Sequence, residues 1–340
     1  MSRRRVYLIT AVVLVLIAVG AVALAAGTKP STVGGAAAKG DGSTAPSLEA
    51  KGWINTRPLT PSALHDKVVL YDFWTYSCVN CVRTIPYVRS WYDRYHRDGL
   101  VVVGVHSPEF DFEKSHANVR SAVKKLGVDY PVALDDDMTI WNAFANQYWP
   151  ADYLYDRSGH QAEVHFGEGG YDGTETEIRR LLGVKASSPR AHVRGHEGGT
   201  DGSVDLTPET YNGSERGAER FVSPQELADG THTFSAPGAL QTNDHALVGP
   251  WTVAPQYVES AGPGASLLLR YDAGQVNLVM ATASGGPIDV AVQVDDQPAK
   301  TVRVQAADLY NLVEAKVGTH TVRITPAAPG LQAYAFTFGG

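Results

Sequence analysis

The feature that most constrains the fold is the stretch KVVLYDFWTYSCVNC at residues 67–81, which holds both cysteines of the chain. Its first half is an almost continuous apolar run, as is typical of a strand buried on both faces of a sheet. The residues from Cys81 onward, CVRTIPYVRSWYDRYH, have the pattern of a helix, and Asp98-Gly99 ends it. The two cysteines therefore lie between a buried strand and the helix that follows it.

The spacing of Cys78 and Cys81 predicts a redox-active pair. Because residues three apart share a helix face, the two sulfur atoms can come into contact and close a disulfide ring. Unpaired backbone N–H groups and the dipole at the helix N-terminus favour a thiolate at Cys78, which makes it the predicted nucleophile. Cys81 lies one turn further into the helix and is the predicted resolving thiol.

Two other roles for these cysteines remain open in the sequence. A structural disulfide is one, although a ring so short constrains the unfolded chain little. A zinc site is the other, but no second cysteine pair exists and the eleven histidines show no clear ligand spacing. We therefore expect no metal, and no cofactor other than the Cys78–Cys81 disulfide itself.

Residues 1–26 are predicted to export the chain. Three arginines precede an apolar run over residues 6–26, and about 20 apolar residues are enough to span a membrane as a helix. The arginines keep their end in the cytoplasm, so the rest of the chain is expected outside. Both an uncleaved membrane anchor and a signal peptide cut after Ala25, which would release a secreted protein, fit this pattern.

Composition divides the remaining chain into two domains. A flexible linker is predicted at 27–48, and residues 49–185 then alternate in the order β-α-β-α-β-α-β-β-α, which indicates a mixed sheet with helices on both faces. A second linker, 186–204, precedes short alternating strands at 205–340, which predict an all-β, jelly-roll-like sandwich. The net charge of −7 and the absence of a later basic block argue against a nucleic-acid partner.

Two segments resemble the thioredoxin-like family. VVLYDFWTYSCVNCVRTIP is similar to its active-site strand and helix, with Pro86 as the proline that kinks the helix. YWPADYLYD resembles the loop before its fourth strand, with Pro150 as a cis-proline facing the cysteines. The resemblance covers about residues 50–185. It is greatest to exported TlpA-type members, and above all to the extracytoplasmic region of the DipZ group, through FWTYSCVNC, GVHSPEF, YWPADYL and FGEGGY.

The resemblance implies roles for several further residues. Asp72 stands where the family keeps a buried carboxylate, and burial would raise its pKa and let it exchange a proton with Cys81. A solvated aspartate at the end of the strand is the alternative for Asp72. Trp74, Tyr76 and Trp149 are predicted to form an apolar rim that binds substrate, although each could be ordinary packing.

The implied activity is thiol–disulfide exchange with protein disulfides or dithiols of the cell envelope, such as the cysteines of apocytochrome c. Val-Asn between the cysteines replaces the Gly-Pro of thioredoxin, so the direction of electron flow stays open. DipZ proteins carry a multi-helix electron-conducting membrane domain ahead of this region. Here one predicted helix stands in that place, so a separate membrane electron donor or acceptor is expected.

A thiol peroxidase of the peroxiredoxin class is one rival function. Thr75 precedes Cys78 by three residues, as in the peroxiredoxin pattern, but Tyr71 stands where that pattern has proline. His106 and Glu109, in VHSPE, are weaker candidates for the site, and a polar pair at a strand end explains them equally well.

A glycan-binding envelope protein with an accessory redox domain is the other rival. The C-terminal domain is similar to the carbohydrate-binding-like domain of the DipZ group, and aromatic side chains can stack on sugar rings. The candidates for such stacking are Trp251, Tyr257 and Tyr271, and the alternative is that they fill the core of the sandwich.

Overall fold

The computed structural model describes residues 37–339 except for 186, 192 and 194–205. The predicted export helix at 1–26 and most of the second predicted linker lie outside these described residues. Within them, no helix combines the length and the apolar character needed to cross a membrane.

The first domain is built on a mixed sheet, with the order β1-β7-β6-β3-β4-β5-β2 across the described residues. Its strands are β1 (Ala37–Lys39), β2 (Gly52–Ile54), β3 (Val68–Trp74), β4 (Leu100–His106), β5 (Val132–Leu134), β6 (Ala151–Tyr155) and β7 (Gln161–Phe166). Strand β3 lies in the middle, parallel to β4 and antiparallel to β6, and all of its residues are buried. The apolar run that predicted this strand supplies side chains to the cores on both faces.

Helices cover both faces of this sheet, as the element order predicted. They are α1 (Pro61–Leu64), α2 (Val79–Tyr95), α3 (His116–Leu126), α4 (Thr139–Ala143) and α5 (Tyr171–Leu182). Helices α2, α3 and α5 pack against the face that carries Val68 and Leu70, whereas α4 packs against the face that carries Tyr71 and Phe73. The mixed α/β fold expected for the first domain is therefore confirmed.

Two details of this domain differ from the predicted elements. Strand β1 pairs with Glu163–His165 of β7, so the sheet begins inside the range predicted as a flexible linker. Its sequence, AAK, has no strand pattern of its own, and the edge of β7 supplies the pairing. A 3₁₀ turn, Asp111–Lys114, precedes the second helix of the predicted order, so that α3 begins only after the capping residue Ser115.

The C-terminal domain is rich in strands, and every pairing between them is antiparallel across the described residues. The strands are β8 (Thr210–Tyr211), β9 (Gly230–Phe234), β10 (His245–Val253), β11 (Val258–Ser260), β12 (Ser266–Thr282), β13 (Ile288–Val294), β14 (Lys300–Val304), β15 (Asp308–Pro326) and β16 (Leu331–Gly339). Strand β12 pairs with β10 through its first residues and with β16 through its last. The sheet thus curls around one apolar core. The jelly-roll topology stays a prediction.

The two domains are in direct contact. The rings of Phe110 and Phe112, which follow β4, meet the ring of Tyr334 at centroid distances of 5.1 and 4.8 Å. Arg83 of α2, two residues after Cys81, donates to the side chain of Gln275 in β12. The C-terminal domain therefore contacts both the loop after β4 and the helix that carries the cysteines.

Candidate functional site

Cys78 and Cys81 occupy the positions that the sequence predicts. Cys78 is the N-cap residue of α2, and the backbone N–H of Cys81 donates to its Sγ at 3.4 Å. Both thiols are free, with Cys78 partly exposed and Cys81 only 1% exposed. An external disulfide can therefore reach Cys78, whereas Cys81 is placed to react with whatever Cys78 has bound.

The environment of Cys81 opposes its ionisation. Burial raises the pKa of this thiol well above its ordinary value, and the neighbouring Cys78 raises it further. Because only a thiolate attacks a disulfide efficiently, Cys81 needs a group nearby that takes its proton.

Asp72 lies behind the cysteines in the centre of β3 and is 1% exposed. Burial raises its pKa to about 7, although the hydroxyl of Tyr130 donates to Oδ2 at 3.2 Å and favours the charged form. The prediction of a buried carboxyl with a raised pKa is confirmed, and the solvated alternative is wrong. A carboxyl that titrates near neutral pH is suited to accept a proton.

Asp152 is a second buried carboxyl, and the sequence analysis missed it. It lies directly opposite Asp72 in the antiparallel pair of β3 and β6 and is 5% exposed. Burial and the charge of Asp72 raise its pKa well above the usual range. The sequence did contain a signal for Asp152. In YWPADYLYD this aspartate stands two residues after Pro150, within a segment that was predicted to be a strand.

The loop before β6 has the predicted backbone conformation. The peptide bond between Trp149 and Pro150 is cis, and Pro150 is buried. The ring of Trp149 lies 4.1 Å from that of Trp141, and its Nε1–H donates to the carbonyl of Ser107 at 3.0 Å. Trp149 is partly exposed, so it can still contribute to a substrate surface.

The other two members of the predicted rim are not at the surface. Trp74 is 0% exposed and meets His106 edge-on at 5.1 Å, while Tyr76 is 3% exposed and stacks on the same imidazole at 5.7 Å. Trp74 lies on the face of β3 that α2, α3 and α5 cover. It is therefore enclosed and cannot reach the substrate. For Trp74 and Tyr76 the packing alternative is correct.

A buried glutamate, Glu113, supports the loop that leads to Cys78. Its carboxylate accepts hydrogen bonds from the hydroxyl of Ser77 at 2.6 Å and from the backbone N–H groups of Glu109 and Phe110 at 2.6 and 2.9 Å. Burial raises its pKa, although these donors act in the opposite direction. Glu113 thus ties the residue before Cys78 to the segment that contacts the C-terminal domain.

The two weaker candidates, His106 and Glu109, have separate roles. His106 is buried between aromatic rings, and burial lowers its pKa to about 3, which keeps it neutral. Glu109 reaches the C-terminal domain, where Oε1 accepts from the hydroxyl of Tyr211 and pairs with Arg216, both at 2.8 Å. Neither arrangement is that of a polar strand-end pair, which was the alternative explanation.

The aromatic residues predicted to bind glycan are mainly core residues. Trp251 and Tyr271 are 0% exposed and belong to the apolar core of the C-terminal domain. Tyr257 packs 5.1 Å from Tyr334, in the cluster that joins the two domains. The stacking role is therefore wrong for Trp251 and Tyr271, because their rings have no surface to offer a sugar. In the described residues, no group of three His, Cys, Asp or Glu side chains is arranged to hold a metal ion.

Comparisons with known proteins agree with this geometry. Residues 41–152 match the family described as Redoxin, and residues 207–339 match the Thioredoxin like C-terminal domain. Protein DipZ of Mycobacterium tuberculosis is 38% identical over 307 residues, which is 87% of this chain and 43% of DipZ. The chain thus spans less than half the length of DipZ.

Shorter bacterial enzymes match the first domain. The thiol–disulfide oxidoreductase YkuV of Bacillus subtilis is 29% identical over 39% of this chain and 88% of its own length. The thiol–disulfide oxidoreductase ResA of the same organism is 28% identical over 49% of this chain and 87% of its own length. The chain therefore carries a Redoxin region and a Thioredoxin like C-terminal domain. Its first domain, with the cysteine pair at the start of α2, is similar to thiol–disulfide oxidoreductases, and 87% of the chain is similar to part of DipZ.

Proposed function

We propose that this protein exchanges disulfides with proteins of the cell envelope, from a position outside the membrane to which residues 1–26 tether it. The observation that carries the proposal is the asymmetry of the thiol pair. Cys78 is accessible at the start of α2, whereas Cys81 is buried beside it with its N–H directed at the Cys78 sulfur. This arrangement suits one attacking and one resolving thiol.

The reaction proceeds in two displacements. The thiolate of Cys78 attacks one sulfur of the client disulfide, forms a mixed disulfide and releases the first client thiolate. Cys81 then gives its proton to the Asp72 carboxylate and attacks the Cys78 sulfur, which closes the intramolecular disulfide and releases the second client thiolate. Reversal of both steps oxidises a client dithiol.

We further propose that the physiological direction is reduction of envelope disulfides, with apocytochrome c cysteines as a client class and a membrane protein as the electron donor. The similarity to DipZ supports this use. The C-terminal domain contacts the loop after β4 and helix α2, and we propose that it positions the redox domain at the envelope. Tyr257, which is partly exposed, is the remaining candidate for glycan contact there.

The direct test is capture of a client. Cys81→Ser should accumulate mixed disulfides with envelope proteins, because nothing resolves the bond at Cys78, and non-reducing gels followed by mass spectrometry would identify them. Cys78→Ser is the matched control and should capture none. Equal capture by both variants would contradict the proposal. Rapid consumption of peroxide by the wild type without a disulfide substrate would also contradict it, and would favour a peroxidase.

The direction of transfer needs a separate measurement. The wild type is equilibrated with glutathione buffers, and the oxidised fraction of the Cys78–Cys81 pair is read by alkylation and mass shift. A potential near or below about −250 mV indicates a reductant, and one near about −120 mV indicates an oxidant.

A further inference from the structure

A row of ionisable side chains crosses the sheet behind the cysteines. Asp72 of β3 lies opposite Asp152 of β6, and Asp152 lies opposite His165 of β7. Directly opposed residues on one face of an antiparallel pair have Cβ atoms roughly 5 Å apart. All three side chains are at most 5% exposed. The row begins at Asp72, whose charge acts on Cys81, and runs across the sheet to β7.

His165 has two buried ring nitrogens without a hydrogen-bond partner among the described residues, and Asp152 is the carboxyl of the row in the same situation. Its Oδ1 is buried and has no hydrogen-bond partner among the described residues. A buried ionisable group without a partner costs stability, and Tyr130 bonds to Asp72 rather than to Asp152. Packing and hydrogen bonding therefore do not account for an aspartate at this position, whereas exchange of a proton with Asp72 does.

Glu163 continues the row to the surface. It lies two residues before His165 on the same face of β7, diagonal to Asp152, and its negative charge contributes to the raised pKa of Asp152. Glu163 also lines a cleft of about 770 Å³ between β1, β7 and α5, with Lys39, Glu177 and Arg180 on its walls. One carboxylate thus faces both the buried pair and an opening to solvent.

We propose that Asp72 and Asp152 share a proton and that Glu163 connects this pair to solvent in the cleft, so that the proton of Cys81 leaves on the β7 side of the sheet. This inference rests on the proposed exchange reaction. It adds Asp152 and Glu163 as positioning residues that act through Asp72.

The proton count of the step balances. In the proposed resting state the pair holds one proton, on Asp152, and Asp72 is a carboxylate. When Cys81 attacks the mixed disulfide at Cys78, its proton passes to Asp72, the new S–S bond forms and the client leaves as a thiolate. The pair then holds two protons, and one passes through Glu163 to water. In the reverse direction, the same route returns a proton to Cys81.

The groups that face this pair come from every element around it. Helix α2 contributes Cys81, the segment before β5 contributes Tyr130, and β7 contributes His165 and Glu163. Glu177 of α5 acts on Glu163 from across the cleft. Burial lowers the pKa of His165, so this side chain is neutral in the pH range where the pair titrates.

The test separates the two displacements. Reduced protein is mixed with dithiobis(nitrobenzoate) in a stopped-flow instrument, where attack by Cys78 releases one thionitrobenzoate and resolution by Cys81 releases the second. Asp152→Asn and Glu163→Gln should slow the second release about tenfold at pH 7 and leave the first unchanged. That loss is smaller than the roughly 100-fold typical of a direct acid–base group, because Asp72 remains in place.

Two controls test whether the slowing is specific to the row and whether it comes from lost proton transfer. Asp41→Asn removes a carboxylate from the same cleft but not from the row, and it should leave both releases unchanged. Imidazole should restore the second release in Glu163→Gln, whose site opens to solvent, without accelerating the wild type.

The possible failures can be told apart. Unchanged second release in Asp152→Asn, or equal slowing of both releases in either variant, would overturn the relay while leaving disulfide exchange intact. Absence of the first release in the wild type would overturn the proposed function, and the relay with it.

Discussion

The two domains differ in what they bury. Around Cys81 the thioredoxin-like domain buries Asp72, Asp152, Glu113 and His106, each at most 5% exposed. Burying groups that can be charged costs stability, and such groups concentrate where chemistry depends on shifted pKa values. The C-terminal domain also buries Asp244 and His245, but it contains no cysteine, and its largest buried side chains belong to an apolar core.

The comparison shows which kind of residue marks a site in this chain. Aromatic residues occur in both domains, and burial gives most of them the same packing role. Buried carboxyls next to a reactive thiol are found only in the first domain of the described chain. The chemistry therefore lies there, and the C-terminal domain contributes packing and contacts around it.

The largest expected effect is a loss of stability on replacing Trp251, a core residue of the C-terminal domain, without loss of the chemistry of the first domain. Trp251→Ala removes a fully buried ring from the C-terminal core, and such truncations cost about 3–5 kcal/mol. Chemical denaturation should show this loss in the free energy of unfolding, while the folded variant still exchanges disulfides at Cys78. Normal stability with loss of glycan binding would instead return Trp251 to the role of a ligand residue.

The next effect concerns the stability that the fold loses by burying the ionisable carboxyl of Asp72. Its pKa rises from 3.8 in the unfolded chain to about 7 in the fold because it is buried. Because the raised pKa favours the neutral carboxyl in the fold, its contribution to the free energy of unfolding is fully present below about pH 4. This contribution is lost as the pH rises through about 7. Asp72→Asn keeps the shape and an acceptor for Tyr130 but removes the ionisation.

We therefore expect Asp72→Asn to be more stable than the wild type at pH 8, by on the order of 4 kcal/mol, and nearly equal to it at pH 4. Denaturation curves across this range measure the difference, and the variant should also resolve mixed disulfides slowly. A wild type whose stability rises between pH 5 and pH 8 relative to Asp72→Asn would contradict a buried neutral carboxyl.

Site residues could be predicted where a local motif determines their position, and not where long-range pairing of strands determines it. Cys78 and Cys81 lie in a short motif, so their spacing was sufficient, whereas Pro150 was found through the resemblance of YWPADYLYD to the thioredoxin-like family. Asp152 faces Asp72 only through the register of β3 and β6, which depends on long-range pairing. Glu113 was missed because two of its partners are backbone N–H groups of a turn, and a sequence does not display such donors.

The fold had similar limits. The apolar run of β3 is long enough to identify a central strand, and the α/β order followed from it. Strand β1 has no pattern of its own, because its pairing with β7 provides the order. Trp74 and Tyr76 show a related limit, since closeness to a motif does not reveal which side of a strand or loop a ring occupies.

The smallest effects test whether the two domains act as one unit. Glu109, 8% exposed, joins the domains through Arg216, which is 39% exposed. Asp289 and Arg303 form a pair within the C-terminal domain, and both of their side chains are more exposed, at 47% and 54%. Double-mutant cycles with glutamine or asparagine replacements should give a coupling of about 2 kcal/mol for the first pair. The exposed pair should give no more than about 0.5 kcal/mol, because water screens it.

The Glu109–Arg216 pair should also matter beyond its own energy. Glu109 follows the strand end that carries His106, and its backbone N–H donates to Glu113, which holds the residue before Cys78. Loss of the Glu109–Arg216 contact should therefore speed proteolysis in the second linker and change the rate of the first displacement slightly. Equal coupling in the two pairs, with unchanged proteolysis, would mean that the C-terminal domain rests against the redox domain without supporting the loop at Cys78.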